Sequence, residues 1–196
     1  MQLALFDFDG TLTDRDTMLA FCRHVRGPGR FWLGMIWLTP IFALMFLKIM
    51  KNDVAKVRFL THFLGGMDRQ TLEAAALTFA DKVDSWVRPG AIERVQWHLD
   101  QGHDVSVVSA SVDLWLMPWM NRRGIRCLCS QAAWDGERFT GGLSGPNCNY
   151  DEKVVRIRAA FDLDTYQGIY AYGDSGGDQA MLALANEPSF KPFRGP

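Results

Sequence analysis

Four short stretches carry residue types that can do chemistry together. Asp7 and Asp9 flank Phe8 in DFDGT, and Ser109 and Ser111 flank Ala110 in VVSAS. Lys153 stands near the start of DEKVVRIRAAF, and Asp174 and Asp178 belong to GDSGGD. Side chains alternate along a strand, so carboxylates two apart lean toward one pocket. Carboxylates gathered at one point repel unless a cation sits among them. A hard all-oxygen set with positions left for water and phosphate suits Mg²⁺, which makes Asp7, Asp9, Asp174 and Asp178 candidate ligands. Any one of these acids alone reads as well as a helix cap or a turn residue. The reading rests on all four stretches in this order.

The elements between the motifs must bring them together. LALFDFDG is an apolar run ending in acid and glycine, the pattern of a buried parallel strand. DVSVVSAS, IRCLCSQAAW and YQGIYAYGD read as further strands, and SFKPF as a short last one. Helical spacing runs from Thr17 to Trp86 and is clearest at Leu72, Ala76, Phe79, Val83 and Trp86. GAIERVQWHLDQG, DEKVVRIRAAF and GDQAMLALA read as helices. VDLWLMPWMNRRG is helical with a kink or break expected at Pro118. WDGERFTGGLSG predicts a hairpin around Asp135-Gly136. Strands alternating with helices predict an α/β fold, a Rossmann-like parallel sheet with helices on both faces. Residues 1–16 and 88–196 form the expected core, and 17–87 an inserted helical cap. Ligands of such sheets bind at the carboxyl ends of the strands, where all four motifs fall.

Composition sets limits on partners. The chain of 196 residues is 48 % hydrophobic and 22 % charged, ordinary for a globular protein. A net charge of −1 gives no general attraction to nucleic acid. Cys22, Cys127, Cys129 and Cys148 form no CxxC pair and read as free thiols of a reducing compartment. The first apolar run is too short for a cleavable leader, so a cytoplasmic location is expected. Charge is uneven, however. Between Ala20 and Leu60 stand Arg23, Arg26, Arg30, Lys48, Lys51, Lys56 and Arg58 against Asp53 alone. That cluster is either a solvated face or an attraction to an anionic surface or substrate.

In order and content the four motifs resemble the haloacid-dehalogenase superfamily of phosphohydrolases. The helical insert after the first motif is similar to the phosphoserine-phosphatase-like branch, subfamily IB. The resemblance implies an Mg²⁺-dependent phosphomonoester hydrolase working through an aspartyl phosphate. Asp7 would be the nucleophile and Asp9 the general acid and base. Ser109 would donate to the phosphoryl group, and Lys153 would offset charge between nucleophile and phosphate. Asp174 would bind the metal with the Asp7 carboxylate and the Asp9 carbonyl, assisted by Asp178. Asp16, Arg58 and Ser111 are the expected substrate contacts. The chain departs from phosphoserine phosphatases at Gly177, where they usually carry Asn, and in the apolar run Phe31–Leu47. That run is similar to the apolar cap of the phosphatidylglycerophosphatase C type, so a lipid or amphiphilic phosphate is the expected substrate. A soluble phosphoserine-like or polyol phosphate is the alternative. A non-enzymatic phospho-receiver is remote, because a receiver has neither the paired acids nor a cap.

The run Phe31–Leu47 holds seventeen residues without charge. They would reach ~25 Å as helix, short of the ~30 Å of hydrocarbon, and Pro40 interrupts them. One crossing would also put Asp7 and Asp174 on opposite sides of a membrane. No spanning helix is therefore expected. Two forms remain: a bent helical hairpin turning near Thr39-Pro40, or an apolar finger touching the inner face of the membrane peripherally, with basic residues at the headgroups.

Overall fold

The computed structural model describes residues 1–47 and 49–194. Lys48, one of the basic flanks, lies outside them. Strand β1 (Gln2–Phe6) leads into a tight turn and then into four helices: α1 (Thr17–Trp37), α2 (Thr39–Phe46), α3 (Asn52–Leu64) and α4 (Arg69–Val83). After them come α5 (Pro89–Asp100), β2 (Asp104–Val112), α6 (Asp113–Arg123), β3 (Arg126–Ser130) and the pair β4 (Ala132–Asp135) and β5 (Arg138–Leu143). The chain ends with α7 (Asp151–Ala160), β6 (Gly168–Gly173), α8 (Gln179–Leu182) and β7 (Glu187–Phe190).

The main sheet has the order β3-β2-β1-β6-β7, and every neighbouring pair in it is parallel. The expected α/β architecture is thus present. Its cause is visible along β1, where successive side chains face opposite ways. Ala4 and Phe6 join one apolar cluster with Val105 and Val107, while Leu3 and Leu5 join a second with Val108, Ile157 and Ile169. A strand apolar on both faces is stable only between two helical layers. The β1 end is therefore held in the middle of the sheet, with β2 on one side and β6 on the other.

The helical segment leaves and re-enters the core at one point. Thr13 pairs with Val87, Asp14 N donates to the Trp86 carbonyl, and Arg88 N donates to the Leu12 carbonyl. Helix α1 is broken at Gly27, whose φ of +74° is open to glycine at little cost. The apolar run after it has two faces. Phe31 and Leu38 are buried, and Phe31 stacks on Phe63 of α3 with ring centroids 5.2 Å apart. Trp32, Leu33, Ile36 and Trp37 face outward, with Trp37 80 % exposed. The run breaks at Leu38, before Thr39-Pro40, but the two helices meet at 53°. That is a bend and not the reversal a hairpin needs. No single helix among the described residues is long and apolar enough to cross a membrane.

Three local expectations are corrected. Helix α6 continues through Pro118, because buried Trp115, Leu116, Trp119 and Met120 hold its turns against the core. The stretch IRCLCSQAAW is two strands, since Ala132 N turns to the Asp113 carboxylate and β4 pairs antiparallel with β5. The helix in GDQAMLALA is only Gln179–Leu182. The β4–β5 hairpin is present as expected and packs on the cap helices: Phe139 N donates to the Met67 carbonyl, and Gly66 N to the Phe139 carbonyl.

Gly141 fixes that packing. Its φ is +82°, and a Cβ there would lie 2.3 Å from the Thr61 Cα of α3. Gly141→Ala should cost roughly 2–4 kcal/mol, from left-handed strain and from overpacking against backbone. A thermal or urea melt measures it, and an unchanged midpoint would rule this contact out.

Candidate active site

The carboxyl ends of β1, β2 and β6 meet the first turn of α7 around a cavity of about 310 Å³. Asp7 comes directly after β1 and is 7 % exposed. Its Oδ2 accepts from Thr11 Oγ1 at 3.1 Å and its Oδ1 from Lys153 Nζ at 2.7 Å. Lys153 also donates to Asp178 Oδ1 at 2.6 Å and to the Val108 carbonyl at 2.7 Å. An ammonium has three protons, so Lys153 is saturated. It is 1 % exposed, and its charge is compensated entirely inside the protein.

The other acids divide into two groups. Asp7, Asp174 and Asp178 each offer a carboxylate oxygen within 4.8 Å of the others. Asp178 is committed: its Oδ2 accepts from Asp174 N, Ser175 N and Ser175 Oγ, closing a capping box over the GDSGGD turn. Asp174 Oδ2 accepts from Arg194 Nη2 at 2.7 Å. Three converging carboxylates against a single buried ammonium are a donor set that fits a hard divalent cation. Asp7 and Asp174 would hold it, with Asp178 orienting the loop. The Asp9 carboxylate belongs elsewhere. Its Oδ1 accepts from Thr17 N at 2.7 Å and its Oδ2 from Ser111 Oγ. It is thereby fixed against the start of α1, at the entrance to the cap.

Electrostatics separates the two motif-one acids. Burial raises Asp7 to about 6, against the pull of Lys153. Burial and the nearby Asp16 charge raise Asp9 to about 7, against hydrogen bonds from Ser111 and Thr17. Burial also raises Asp178, but Lys153 outweighs it and leaves Asp178 below its ordinary value. Burial lowers Lys153, yet Asp7 and Asp178 outweigh that and raise it. Burial thus holds both motif-one acids above the ordinary carboxylate range, Asp9 further than Asp7.

Most expected site residues line this cavity: Asp7, Asp9, Asp16, Ser109, Ser111, Lys153, Asp174 and Asp178. Two have additional local roles. Asp16 caps α1 through Leu19 N, and the Ser111 hydroxyl is spent on Asp9. Arg58 does not line the cavity and is exposed on α3. The correction has a geometric cause. Residues two apart on a helix point about 200° apart, and it is Lys56 that faces the site, donating to the Ala110 carbonyl and to Asn147 Oδ1. Sequence reasoning placed Lys56 only in the charge cluster. A signal was present, because Lys56 lies inside the buried stripe of Ala55, Phe59, Leu60 and Phe63. Asn147 and Asn149 were also missed. Asn149 fills the space beside Gly177, where a Cβ would come 2.0 Å from its Oδ1.

The haloacid dehalogenase-like hydrolase family matches residues 4–183. Protein CicA of Caulobacter vibrioides is 36 % identical over 201 residues, covering 98 % of this chain and 87 % of that protein. A protein of unknown function from Bordetella pertussis Tohama I has a similar structure, with TM-score 0.81 and 21 % identity over 96 % of this chain and 88 % of that one. A phospho-aspartyl intermediate analogue of phosphoserine phosphatase has TM-score 0.67 and 18 % identity, over 93 % and 82 % of the two chains. Likeness at these last two identities speaks to the fold alone.

Lys153→Met leaves the Asp7 and Asp178 carboxylates buried without their cation. The expected loss is about 3–5 kcal/mol at neutral pH. Both acids would then bind protons more tightly when folded than when unfolded, so the deficit should shrink as pH falls toward 5. Urea melts of the two proteins across that range measure it. A deficit that grows on acidification would contradict the clamp.

Proposed function

The chain belongs to the haloacid dehalogenase-like hydrolase family, and we propose that it is a phosphomonoester hydrolase working through an aspartyl phosphate. One observation carries the reading: Asp7 is clamped by Lys153 in an oxygen-lined cavity, while Asp9, two residues on, is held apart with its carboxyl near neutrality. An Asp7 oxygen attacks phosphorus, and the bond from phosphorus to the ester oxygen breaks. Asp9 gives its proton to that departing oxygen. Water then attacks the phosphoryl group on Asp7, loses a proton to Asp9, and frees inorganic phosphate and both acids. Ser109 donates its hydroxyl proton to the phosphoryl oxygens, a role supported by its place in the cavity lining. Asp7 and Asp174 would hold Mg²⁺, which would supply positive charge to the transferring group.

The substrate we propose is a lipid or amphiphilic phosphate, met at a membrane surface. Trp32, Leu33, Ile36, Trp37, Phe46 and Leu47 form an exposed apolar surface, with Phe46 87 % exposed. Basic residues flank the segment, Arg30 before it and Lys51 after it. Five residues beyond Leu47, Asn52 and then Asp53 line the cavity. Apolar surface and polar cavity are thus neighbours along the chain. The polar headgroup enters the cavity while its chains stay outside with the apolar surface.

With Mg²⁺ the wild type should hydrolyse an aryl phosphate, and Asp7→Asn or EDTA should abolish this; an active Asp7→Asn excludes the mechanism. On an alkyl phosphate, kcat/KM should fall above about pH 7 as Asp9 loses its proton. Asp9→Asn should lose the falling limb. A profile with the same upper limb in the variant would remove Asp9 from the acid role.

The substrate is tested separately. Trp37→Ser with Phe46→Ser changes side chains that pack on little, so the melting midpoint should hold. Binding to vesicles containing an anionic lipid should weaken, and more so at high salt. Hydrolysis of a lipid phosphate in those vesicles should fall several-fold with aryl phosphate hydrolysis unchanged. Equal losses on both substrates, or unchanged vesicle binding, would favour a soluble phosphate instead.

A further inference from the structure

Six carboxylates line the cavity, against two ammonium groups, Lys56 and Lys153. A phosphomonoester enters as a dianion, so the distribution of positive charge decides whether it binds. Lys153 has no donor to give, because Asp7, Asp178 and Val108 take all three of its protons. Lys56 differs. Its Nζ reaches from cap helix α3 to the Ala110 carbonyl and to Asn147 Oδ1 at 2.7 Å, and no third partner is present among the described residues. Ala110 stands between Ser109 and Ser111 at the end of β2, so the ammonium sits beside the stretch that lines the cavity with Asp7 and holds the Asp9 carboxylate. Asn147 is itself held by Asp53, which accepts from its Nδ2 at 2.7 Å, and by Ser130. The Lys56 head is thus placed by two partners, one at the end of β2 and one in the loop before α7, and keeps one proton unspent.

We propose that Lys56 is the substrate-binding cation of this enzyme: the cap's direct contact to the phosphoryl dianion, made by the N–H that the protein leaves unused. The inference rests on the phosphomonoesterase reading and deepens it, for it assigns anion recognition to the cap and not to Lys153. It also makes cap position matter for binding, since a displaced α3 would carry the cation away with it.

Inorganic phosphate is the probe, titrated calorimetrically in Mg²⁺ buffer. Lys56→Gln and Lys56→Ala should weaken its binding roughly tenfold to a hundredfold, the usual range for a charge-assisted hydrogen bond. KM for an aryl phosphate should rise in parallel, with kcat changed less. Lys56→Arg should recover part of the affinity, because it keeps the charge. A merely structural latch makes a different forecast. Asp53→Asn frees Asn147 and loosens the same junction, yet it removes a negative charge. Because the cation itself remains, it should weaken phosphate binding less than Lys56→Gln does if Lys56 acts as the cation, and as much if Lys56 only fastens cap to core. Unchanged phosphate affinity in Lys56→Gln overturns the proposal, and so does an equal loss in Asp53→Asn. Both results leave the phosphomonoesterase reading standing if the wild type hydrolyses the aryl phosphate. A wild type that neither binds phosphate nor hydrolyses the ester overturns both.

Discussion

The burial of one ammonium between two carboxylates governs the rest of the site. Lys153, Asp7 and Asp178 are each almost wholly removed from water. Ions so placed are tolerated only when their charges and hydrogen bonds are nearly satisfied. That requirement fixes β1, β6 and α7 relative to one another within hydrogen-bond tolerance. It also leaves the site with more negative charge than the protein can neutralise. Asp7 and Asp174 carry that surplus on the core side of the cavity, and Lys56 brings a positive charge to it from α3.

The sheet was legible because its signals are local. LALF is apolar at every position, which only a strand covered on both faces tolerates, and the acids after it fall at a strand end. The motif acids were legible for a related reason: their order along the chain matches the order in which a doubly wound sheet delivers strand ends to one edge. The failures have non-local causes. Pro118 reads as a breaker, but the buried aromatic face of α6 outweighs one lost hydrogen bond. The division of IRCLCSQAAW at Gln131 depends on the distant Asp113, whose carboxylate accepts from Ala132 N at the start of β4. The exchange of Arg58 for Lys56 belongs to a third kind. The information lay in the helical phase of DVAKVRFLTHFL, where a lysine occupies the apolar stripe and the arginine opposes it. The resemblance suggested Arg58, whereas the helical phase turns Lys56 toward the cavity.

The apolar run shows how one sequence feature can have two physical causes at once. Its composition is explained partly by burial, since Phe31 and Leu38 pack inward, with Phe31 stacked on the α3 aromatic Phe63. Burial does not explain the opposite face. Trp32, Leu33, Ile36 and Trp37 carry a hydration cost that polar residues at the same helical positions would avoid. Sequence hydropathy cannot separate the two faces, because it sums over both. Only the packing of Phe31 against Phe63 sets the phase and so reveals which half of the run is left over.

The two faces bear on the chemistry through the path of α1. The helix starts against Asp9, whose carboxylate accepts from Thr17 N, and ends at Trp37 on the apolar surface. A rigid rod would couple the acid to whatever the far end touches. Gly27, with φ +74°, and Pro28 interrupt the rod between them. The first segment, through buried Thr17, Phe21 and Cys22, stays with the core of the cap and with Ser111. The second runs along α3, whose own start supplies Asn52, Asp53 and Lys56 to the cavity. The break thus divides α1: the turns before Gly27 hold the Asp9 carboxylate, and the turns after it share a helix–helix contact with α3, which carries Lys56. Trp37 is therefore connected to the helix that carries Lys56 through the Phe31–Phe63 stack, and separated from Asp9 by the one backbone position in α1 that is not helical.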